Sequence, residues 1–271
     1  MGYDLHVHSQ YSDGTQSVAD LVQEISQSGL SGFALTDHDT TVGWVEAAQN
    51  AGEYGLDFVP AMEISCAAMG TSVHLLSYLH DPTFGPLLQE IGRARDSRLH
   101  RAQKMVQRLS ADFPITWEDV MAHTGEGATV GRPHIADALV SAGVIENRSL
   151  AFTSILTPDS PYYVSHYAVN PVKAVQLVRQ AGGVPILAHP RARKRGRVIP
   201  EILIEKMIEA GLAGLEVRHR DNSPEDQLWL EQLAQSNQLL STGSSDYHGA
   251  GKPNRLGENT TDAQVVAQIR E

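Results

Sequence analysis

Tyr3-Asp4-Leu5-His6-Val7-His8 decides the fold prediction, because its alternating side chains are typical of a short strand that closes on two histidines. Similar short apolar runs recur along the chain and are separated by amphipathic, helix-like stretches such as 18–28 and 171–181. The other predicted strands are residues 32–37, 56–62, 73–79, 184–189, 213–218 and 239–243. Strands that alternate with helices form βα units, so about seven such units predict an α/β fold, a parallel TIM-like barrel.

The segment between the fourth and fifth predicted strands is too long to be a loop. Roughly ninety residues without strand character lie there, and compact domains rarely contain structureless loops of that length. Residues 89–109, 116–122 and 133–142 are predicted helices instead. We therefore expect a helical insertion, residues 81–166, that caps a barrel formed by residues 1–80 and 167–271.

Composition excludes several classes of protein. The chain of 271 residues has 21 Lys and Arg against 32 Asp and Glu, so its formal charge of −11 argues against a general binder of long duplex nucleic acid. The single cysteine, Cys66, excludes a disulfide framework and a cysteine-based zinc finger. No apolar run approaches the ~18 residues of a membrane span, and we expect a cytoplasmic protein without membrane contact.

Histidines and acidic residues cluster where the predicted strands end. Because the carboxyl ends of barrel strands meet on one rim, these side chains should converge although they are far apart in sequence. The residues in question are His6, His8, Asp37, His38, Asp39, Glu63, His189, Asp246 and His248, with His74 on the fourth strand. Mixed imidazole and carboxylate ligands suit Mn²⁺, Zn²⁺ or Fe²⁺, and a carboxylate can bridge two ions.

Several of these runs resemble the motifs of the PHP (polymerase and histidinol phosphatase) family. They are Tyr3-Asp-Leu-His-Val-His-Ser-Gln-Tyr-Ser-Asp-Gly14, Leu35-Thr-Asp-His-Asp-Thr40, Val59-Pro-Ala-Met-Glu-Ile-Ser65, Val73-His-Leu75, Ala188-His-Pro190 and Gly243-Ser-Ser-Asp-Tyr-His-Gly249. The resemblance implies a distorted (β/α)₇ barrel with a helical insertion after the fourth strand. It also implies two to three divalent metal ions, with manganese favoured.

The same resemblance implies three groups of metal ligands. One ion would be held by His6, His8, Glu63 and Asp246, a second by Asp13, His38 and His248, and a third by Glu63, His74 and His189. We place Asp37 among the catalytic residues. Its carboxylate would orient metal ligands and would not bind an ion itself.

The predicted insertion narrows the resemblance to one branch of the family. Gly131-Arg-Pro-His-Ile-Ala136 and Tyr163-Val-Ser-His166 are similar to segments of nucleoside 3′,5′-bisphosphate phosphatases and of 5′-to-3′ exoribonucleases of the ribonuclease AM type. The resemblance implies hydrolysis of 3′,5′-bisphosphonucleosides and of the 5′ ends of short single-stranded RNAs, through a metal-bridged hydroxide. A histidinol-phosphate-type phosphomonoesterase and a non-catalytic metal-bound module are the alternatives.

Substrate-binding residues are predicted from local chemistry. Arg132 and His134 stand at the start of a helix, where free backbone N–H groups favour a phosphate. Arg191 and Arg193 follow His189 in the densest basic run, and Tyr163 offers a ring on which a base could stack. We expect the basic helix 89–109 to present mainly a solvated face. His134, His166 and His219 are the candidates for the proton donor to the leaving group.

Overall fold

A computed structural model describes residues 2–271, except for the side chain of Arg195. Within these residues, seven strands form a single sheet in sequence order. The strands are β1 (Tyr3–Val7), β2 (Gly32–Leu35), β3 (Asp57–Ala68), β4 (Thr71–Tyr78), β5 (Val184–Leu187), β6 (Gly214–Arg218) and β7 (Leu240–Gly243). The predicted number and positions of the strands are confirmed, as is the class of fold.

Ten α-helices lie in the same described part of the chain. They are α1 (Val18–Gln27), α2 (Trp44–Tyr54), α3 (Gly85–Leu109), α4 (Trp117–Ala122), α5 (Arg132–Ser141), α6 (Arg148–Ser154), α7 (Pro171–Gln180), α8 (Glu201–Glu209), α9 (Pro224–Ser236) and α10 (Ala263–Ile269). Side-chain caps explain several of the starts, since Ser17, Asn170 and Ser223 each accept a hydrogen bond from a backbone N–H of the first turn.

The direction of β4 differs from the parallel arrangement that we predicted. β4 pairs antiparallel with both β3 and β5, whereas the other pairs are parallel. Met69 and Gly70 alone connect β3 to β4, with φ angles of 52° and 73°. Two residues with positive φ form the turn of a tight hairpin. A connection of two residues is too short for the crossover that a parallel pair of strands needs.

The hairpin also changes which parts of β3 and β4 supply residues to the rim. β3 continues beyond the predicted end at residue 62 as far as Ala68, so Glu63 lies within the strand. Because β4 runs backwards, its first half lies beside the second half of β3, and Ser65 pairs with His74. His74 therefore reaches the same rim as the residues that follow the parallel strands.

The barrel closes between β1 and the segment after β7. Val7 forms a parallel bridge with Tyr247, and the backbone N–H of His8 donates to the Tyr247 carbonyl at 2.9 Å. An apolar cluster with members from β1 to β5 and from α10 fills the space beneath this rim. The closure brings the His6 and His8 strand directly against the loop that contains Asp246 and His248.

Four helices, α3 to α6, occupy the chain between β4 and α7, as the predicted helical insertion requires. They share an apolar cluster of their own, in which Met105 and Leu109 of α3 pack with Ile135 and Leu139 of α5. None of the helices in residues 2–271 is both long enough and apolar enough to cross a membrane.

Candidate metal centre

The structure brings together all nine residues that we predicted as metal ligands. Eight of them are buried, and His74 has a side chain that is 23% exposed. Their nitrogen and oxygen atoms form three groups that could each hold an ion: His6, His8, Glu63 and Asp246; His8, Asp13, His38 and His248; and His38, Glu63 and His74. The first group is the predicted one, and His8 joins the predicted second group. Their role as ligands stays a prediction.

Glu63 lies at the centre of the rim. Its Oε2 is 3.2 Å from His6 Nε2, 3.1 Å from His8 Nε2 and 3.3 Å from His38 Nδ1. Its other oxygen, Oε1, is 2.8 Å from His74 Nδ1 and 3.3 Å from His189 Nε2. His189 therefore approaches the third group through the same carboxylate oxygen as His74. One carboxylate that faces five imidazoles has the geometry of a bridging ligand.

Hydrogen bonds behind the rim orient the imidazoles. His6 Nδ1 lies 2.9 Å from Glu216 Oε1, and His248 Nδ1 lies 2.9 Å from the Asp246 carbonyl. An acceptor at Nδ1 keeps the proton there and leaves the Nε2 lone pair directed into the site. In the described structure, Nε2 of both rings is buried without a hydrogen-bond partner, as is Nε2 of His8. These lone pairs fit metal ions.

The charge of the site also fits cations. Burial lowers the pKa of His6, but the carboxylates of Glu63, Glu216 and Asp246 outweigh it and raise this pKa well above its usual range. Burial opposes ionisation of Asp13, yet His248 and His38 hold the pKa of its carboxyl group well below the usual range. Buried acids in such numbers require compensating positive charge, and divalent ions are well suited to supply it.

Glu216 is a functional residue that the sequence analysis missed. It is fully buried on β6, and its Oε2 accepts the backbone N–H of His189 at 2.7 Å while Oε1 contacts His6. It thus positions predicted ligands that follow or lie on two different strands. The available signal was a single acid in the otherwise apolar run Gly214-Leu-Glu-Val217. Lys252, whose Nζ lies 2.9 Å from Asp246 Oδ2, had no sequence signal of this kind.

Asp37 acts through the loop that carries Asp13. Its carboxylate accepts the Ser9 N–H at 2.8 Å and the Ser9 and Ser12 hydroxyls at 2.6 Å each. Ser12 Oγ lies 3.3 Å from His8 Nδ1. Asp37 therefore contacts His8 through the Ser12 hydroxyl, and its role in orienting ligands stays a prediction.

The backbone is strained at rim positions. Asp39, His189 and Asp246 have φ angles of 55°, 28° and 55°, which residues other than glycine rarely adopt. Surrounding hydrogen bonds hold these conformations, since Asp39 accepts the Ser65 N–H and Glu216 accepts the His189 N–H. Strain of this kind is concentrated at functional sites, where a side chain must be aimed accurately.

The three predicted proton donors occupy different surroundings. His219 is fully buried at the rim, its Nε2 lies 3.8 Å from Asp246 Oδ2, and its Nδ1 accepts the Asp221 N–H. His166 accepts a hydrogen bond from Arg101 at 2.9 Å, and burial together with Arg101 lowers its pKa to about 3. Its role as a proton donor, like that of His219, stays a prediction.

His134 has a structural role that the sequence analysis did not foresee. Its Nδ1 accepts the Gly131 N–H at the start of α5. A hydrogen bond with the Ser12 backbone also links it to the Asp13 loop. Its roles as phosphate ligand and proton donor stay predictions.

The predicted arginines divide into two sets. Arg191 and Arg193 both donate to Asp226, at 3.0 Å and 2.9 Å, and Arg191 also lies over the Trp229 ring. Asp226 thus pairs with both guanidinium groups, and their predicted phosphate contact stays a prediction. Arg132 lies on α5 with its guanidinium 6.0 Å from the Tyr163 ring, and no acid lies within ion-pair distance of it in the described structure.

Replacing Glu216 by glutamine should weaken metal binding by about 10- to 100-fold, because the amide cannot accept hydrogen bonds from both His6 and the His189 backbone. Titration of the metal-free variant with Mn²⁺ measures the affinity. Glu209→Gln, which removes an exposed acid on α8, is the control and should leave the affinity unchanged. Equal affinity in both variants would contradict an orienting role.

Comparisons with known proteins agree with this site. Residues 4–120 match the family model described as PHP domain. The chain is 32% identical to a 3′,5′-nucleoside bisphosphate phosphatase of Chromobacterium violaceum, with 98% of this chain and 93% of that protein covered. A 5′-3′ exoribonuclease of Haemophilus influenzae is 28% identical, with 99% and 98% covered. A candidate metal-dependent phosphoesterase of known structure, from Bifidobacterium adolescentis, superimposes with a TM-score of 0.96 at 44% identity, with 99% and 95% covered.

A barrel with this rim and these relatives defines a metal-dependent phosphoesterase, which is a hydrolase. The chain belongs to the PHP family. The predicted family, fold class and type of enzyme are therefore confirmed.

Proposed function

We propose that the protein hydrolyses phosphate esters of nucleotides, with 3′,5′-bisphosphonucleosides as its main substrates. The observation that carries this proposal is the buried convergence of His6, His8 and their partners around Glu63. The relative from Chromobacterium violaceum, named a bisphosphate phosphatase over almost the whole length of this chain, supports the choice of substrate.

The proposed cofactors are two to three divalent ions, and Mn²⁺ is favoured over Zn²⁺ or Fe²⁺. The mixture of imidazole and carboxylate donors in the three groups supports this choice. When bound, such ions lower the pKa of a water molecule and neutralise charge on the phosphoryl group. Their predicted holders are the rim residues, with Glu63 shared between groups.

Residues of the chain supply the remaining functions. Glu216 and Asp37 hold the ligands in place before substrate arrives, which avoids reorganisation during the reaction. Asp221 donates to His219 Nδ1, so His219 carries its hydrogen on Nε2, at the rim. We expect this N–H to donate to the oxygen of the leaving group. No serine or cysteine nucleophile is required.

A second candidate substrate is the 5′ end of a short single-stranded RNA. The exoribonuclease relative supports it, and so does the exposed Arg93 of α3, whose guanidinium lies 3.8 Å from the centre of the Tyr167 ring. The formal charge of −11 disfavours a long duplex as substrate, because the protein would repel the part of the duplex that extends beyond the basic helix α3.

A substrate panel tests the proposal. With Mn²⁺ present, we expect phosphate release from adenosine 3′,5′-bisphosphate at a kcat/KM at least about tenfold above that for adenosine 5′-monophosphate or histidinol phosphate. A 5′-phosphorylated oligoribonucleotide tests the second candidate. Fastest turnover of histidinol phosphate would favour the phosphomonoesterase alternative, and no turnover of any compound would favour the non-catalytic module.

A further inference from the structure

The helical insertion holds the loop that carries Asp13 at three consecutive residues. The contacts join Thr129 to Tyr11, His134 to Ser12, and Arg148 to Asp13. Thr129 donates its backbone N–H at 3.1 Å, and Arg148 donates from Nη1 to the Asp13 carbonyl at 2.8 Å. His134 belongs to α5, and Arg148 is the first residue of α6. The insertion is therefore bonded directly to a loop of the candidate metal centre.

A second set of hydrogen bonds fixes the Arg148 guanidinium. Its Nε donates to Asp137 Oδ1 at 2.7 Å, and its Nη2 donates to Asp137 Oδ2. The Arg148 side chain is 12% exposed. A planar guanidinium that donates to both oxygens of a carboxylate has a defined orientation, which here directs Nη1 at the Asp13 carbonyl. Asp137 also neutralises a positive charge that would otherwise repel a cation bound by Asp13.

The turn that follows His248 leaves room for this guanidinium. Gly251 is the last residue of the turn Gly249–Gly251, and a Cβ atom at its position would lie 2.3 Å from Arg148 Nη1. Any residue larger than glycine would therefore displace the guanidinium. Arg148 thus lies between the loop of Asp13 and the turn after His248, and both of these acid and imidazole residues belong to one predicted ligand group.

The position of the Asp13 carboxylate depends on the backbone that Arg148 holds. Asp13 Oδ1 lies 3.1 Å from His248 Nε2 and 3.7 Å from His8 Nδ1. A rotation of the Asp13 peptide unit would move this carboxylate away from both imidazoles, whereas distances from an ion to its ligands vary by only about 0.2 Å. The loop forms neither a helix nor a strand, so hydrogen bonds from other segments must fix its shape.

We propose that Arg148 is a positioning residue through which the helical insertion controls the affinity for the ion that Asp13 binds. This inference rests on the proposed function and on its predicted metal ligands. The insertion would then complete the metal centre in addition to covering the barrel. The group of His6, His8, Glu63 and Asp246 does not include Asp13, so the affinity for its ion should not depend on Arg148.

Calorimetric titration of the full-length, metal-free protein with Mn²⁺ tests this role without turnover. We expect Arg148→Gln to weaken one ion site by about 10- to 100-fold and to leave the affinity of the others within about twofold. Arg148→Lys should show the same loss, because one ammonium group cannot reproduce the fork on Asp137 together with the contact to Asp13. Arg179→Gln removes an exposed arginine of α7 and is the matched control, with affinities within about twofold of the wild type.

Three outcomes of this titration would overturn the proposal. They are equal affinities in Arg148→Gln and Arg179→Gln, an equal loss at every ion site of Arg148→Gln, and wild-type affinity in Arg148→Lys. Melting curves of the metal-free proteins establish that each variant is folded. Amide hydrogen exchange gives an independent measurement, since the amides of residues 11–15 should exchange faster in Arg148→Gln than in Arg179→Gln.

A glycine substitution tests the contact while Arg148 stays in the chain. Gly251→Ala should displace the guanidinium and weaken the same ion site as Arg148→Gln. Gly52→Ala is the matched control, because a Cβ atom at this position of α2 has no neighbour within 4 Å. Wild-type affinity in Gly251→Ala would contradict the proposed packing of Arg148 against the turn.

The dependence of turnover on Mn²⁺ distinguishes positioning from a purely structural role. In Arg148→Gln, the Mn²⁺ concentration at half-maximal rate should rise by about 10- to 100-fold, while kcat at saturating Mn²⁺ stays within about threefold of the wild type. A kcat that stays low at every Mn²⁺ concentration would overturn the inference. If the wild-type protein releases no phosphate from any nucleotide, the proposed function fails, and the calorimetric comparison of Arg148→Gln with Arg179→Gln still decides the role of Arg148.

Discussion

Glu63→Gln should lower kcat/KM for adenosine 3′,5′-bisphosphate by about 10³-fold or more. The carboxylate faces five imidazoles, those of His6, His8, His38, His74 and His189. Its negative charge would therefore attract the ion in each predicted ligand group that includes Glu63. Glutamine keeps the shape of the side chain but removes the charge and one acceptor. A loss of several kcal/mol of transition-state stabilisation corresponds to at least this factor.

Elemental analysis of the same preparations connects the loss of activity to the ions. Glu63→Gln should contain fewer bound ions per chain than the wild-type protein after identical loading with Mn²⁺. Glu53→Gln is the matched control, because Glu53 is an exposed residue of α2. A Glu63→Gln protein with full activity and full metal content would refute the central position of Glu63.

Removal of the divalent ions should lower the melting temperature by on the order of 10 °C. An ion present at about 1,000 times its Kd stabilises the folded state by about 4 kcal/mol, and each kcal/mol shifts the midpoint by about 2–4 °C in chains of similar size. The buried acids Asp13, Glu63 and Asp246 lose their compensating charge when the ions leave.

Differential scanning calorimetry with chelator, and again after Mn²⁺ is restored, measures this shift. Glu53→Gln should show the same shift as the wild-type protein, and Glu63→Gln a clearly smaller one. Identical melting curves with and without ions would mean that the rim holds no ion, and the metal centre would then be rejected.

The strands and the ligand types were predictable because both leave local signals. Each strand is a short apolar run, and His38, His189 and Asp246 follow the ends of their strands closely. The direction of β4 was not predictable in this way. Met69-Gly70 lacks the Asn-Gly or Asp-Gly pair that usually signals a two-residue hairpin, and the turn residues lie between two apolar runs.

Residues whose role depends on distant partners were harder to recognise. Arg98 and Arg101 repeat at helical spacing among other basic residues, a pattern typical of a solvated helix face. Arg101 is nevertheless buried and Arg98 half-buried, and Arg101 donates to His166 where the chain folds back over that face. Arg191 and Arg193 also have a partner that the basic run does not reveal, since both donate to Asp226, more than thirty residues later in the chain.

The amino-acid sequence alone determined that short strands alternate with helices, that a long helical segment interrupts them, and that imidazoles and carboxylates stand at the strand ends. Those features are local, because side-chain periodicity reports which face of an element is buried. Only the tertiary structure decided the reversed β4 and the support of His6 and His189 by Glu216. These depend on contacts between distant segments, which a period of two or of 3.6 residues does not encode.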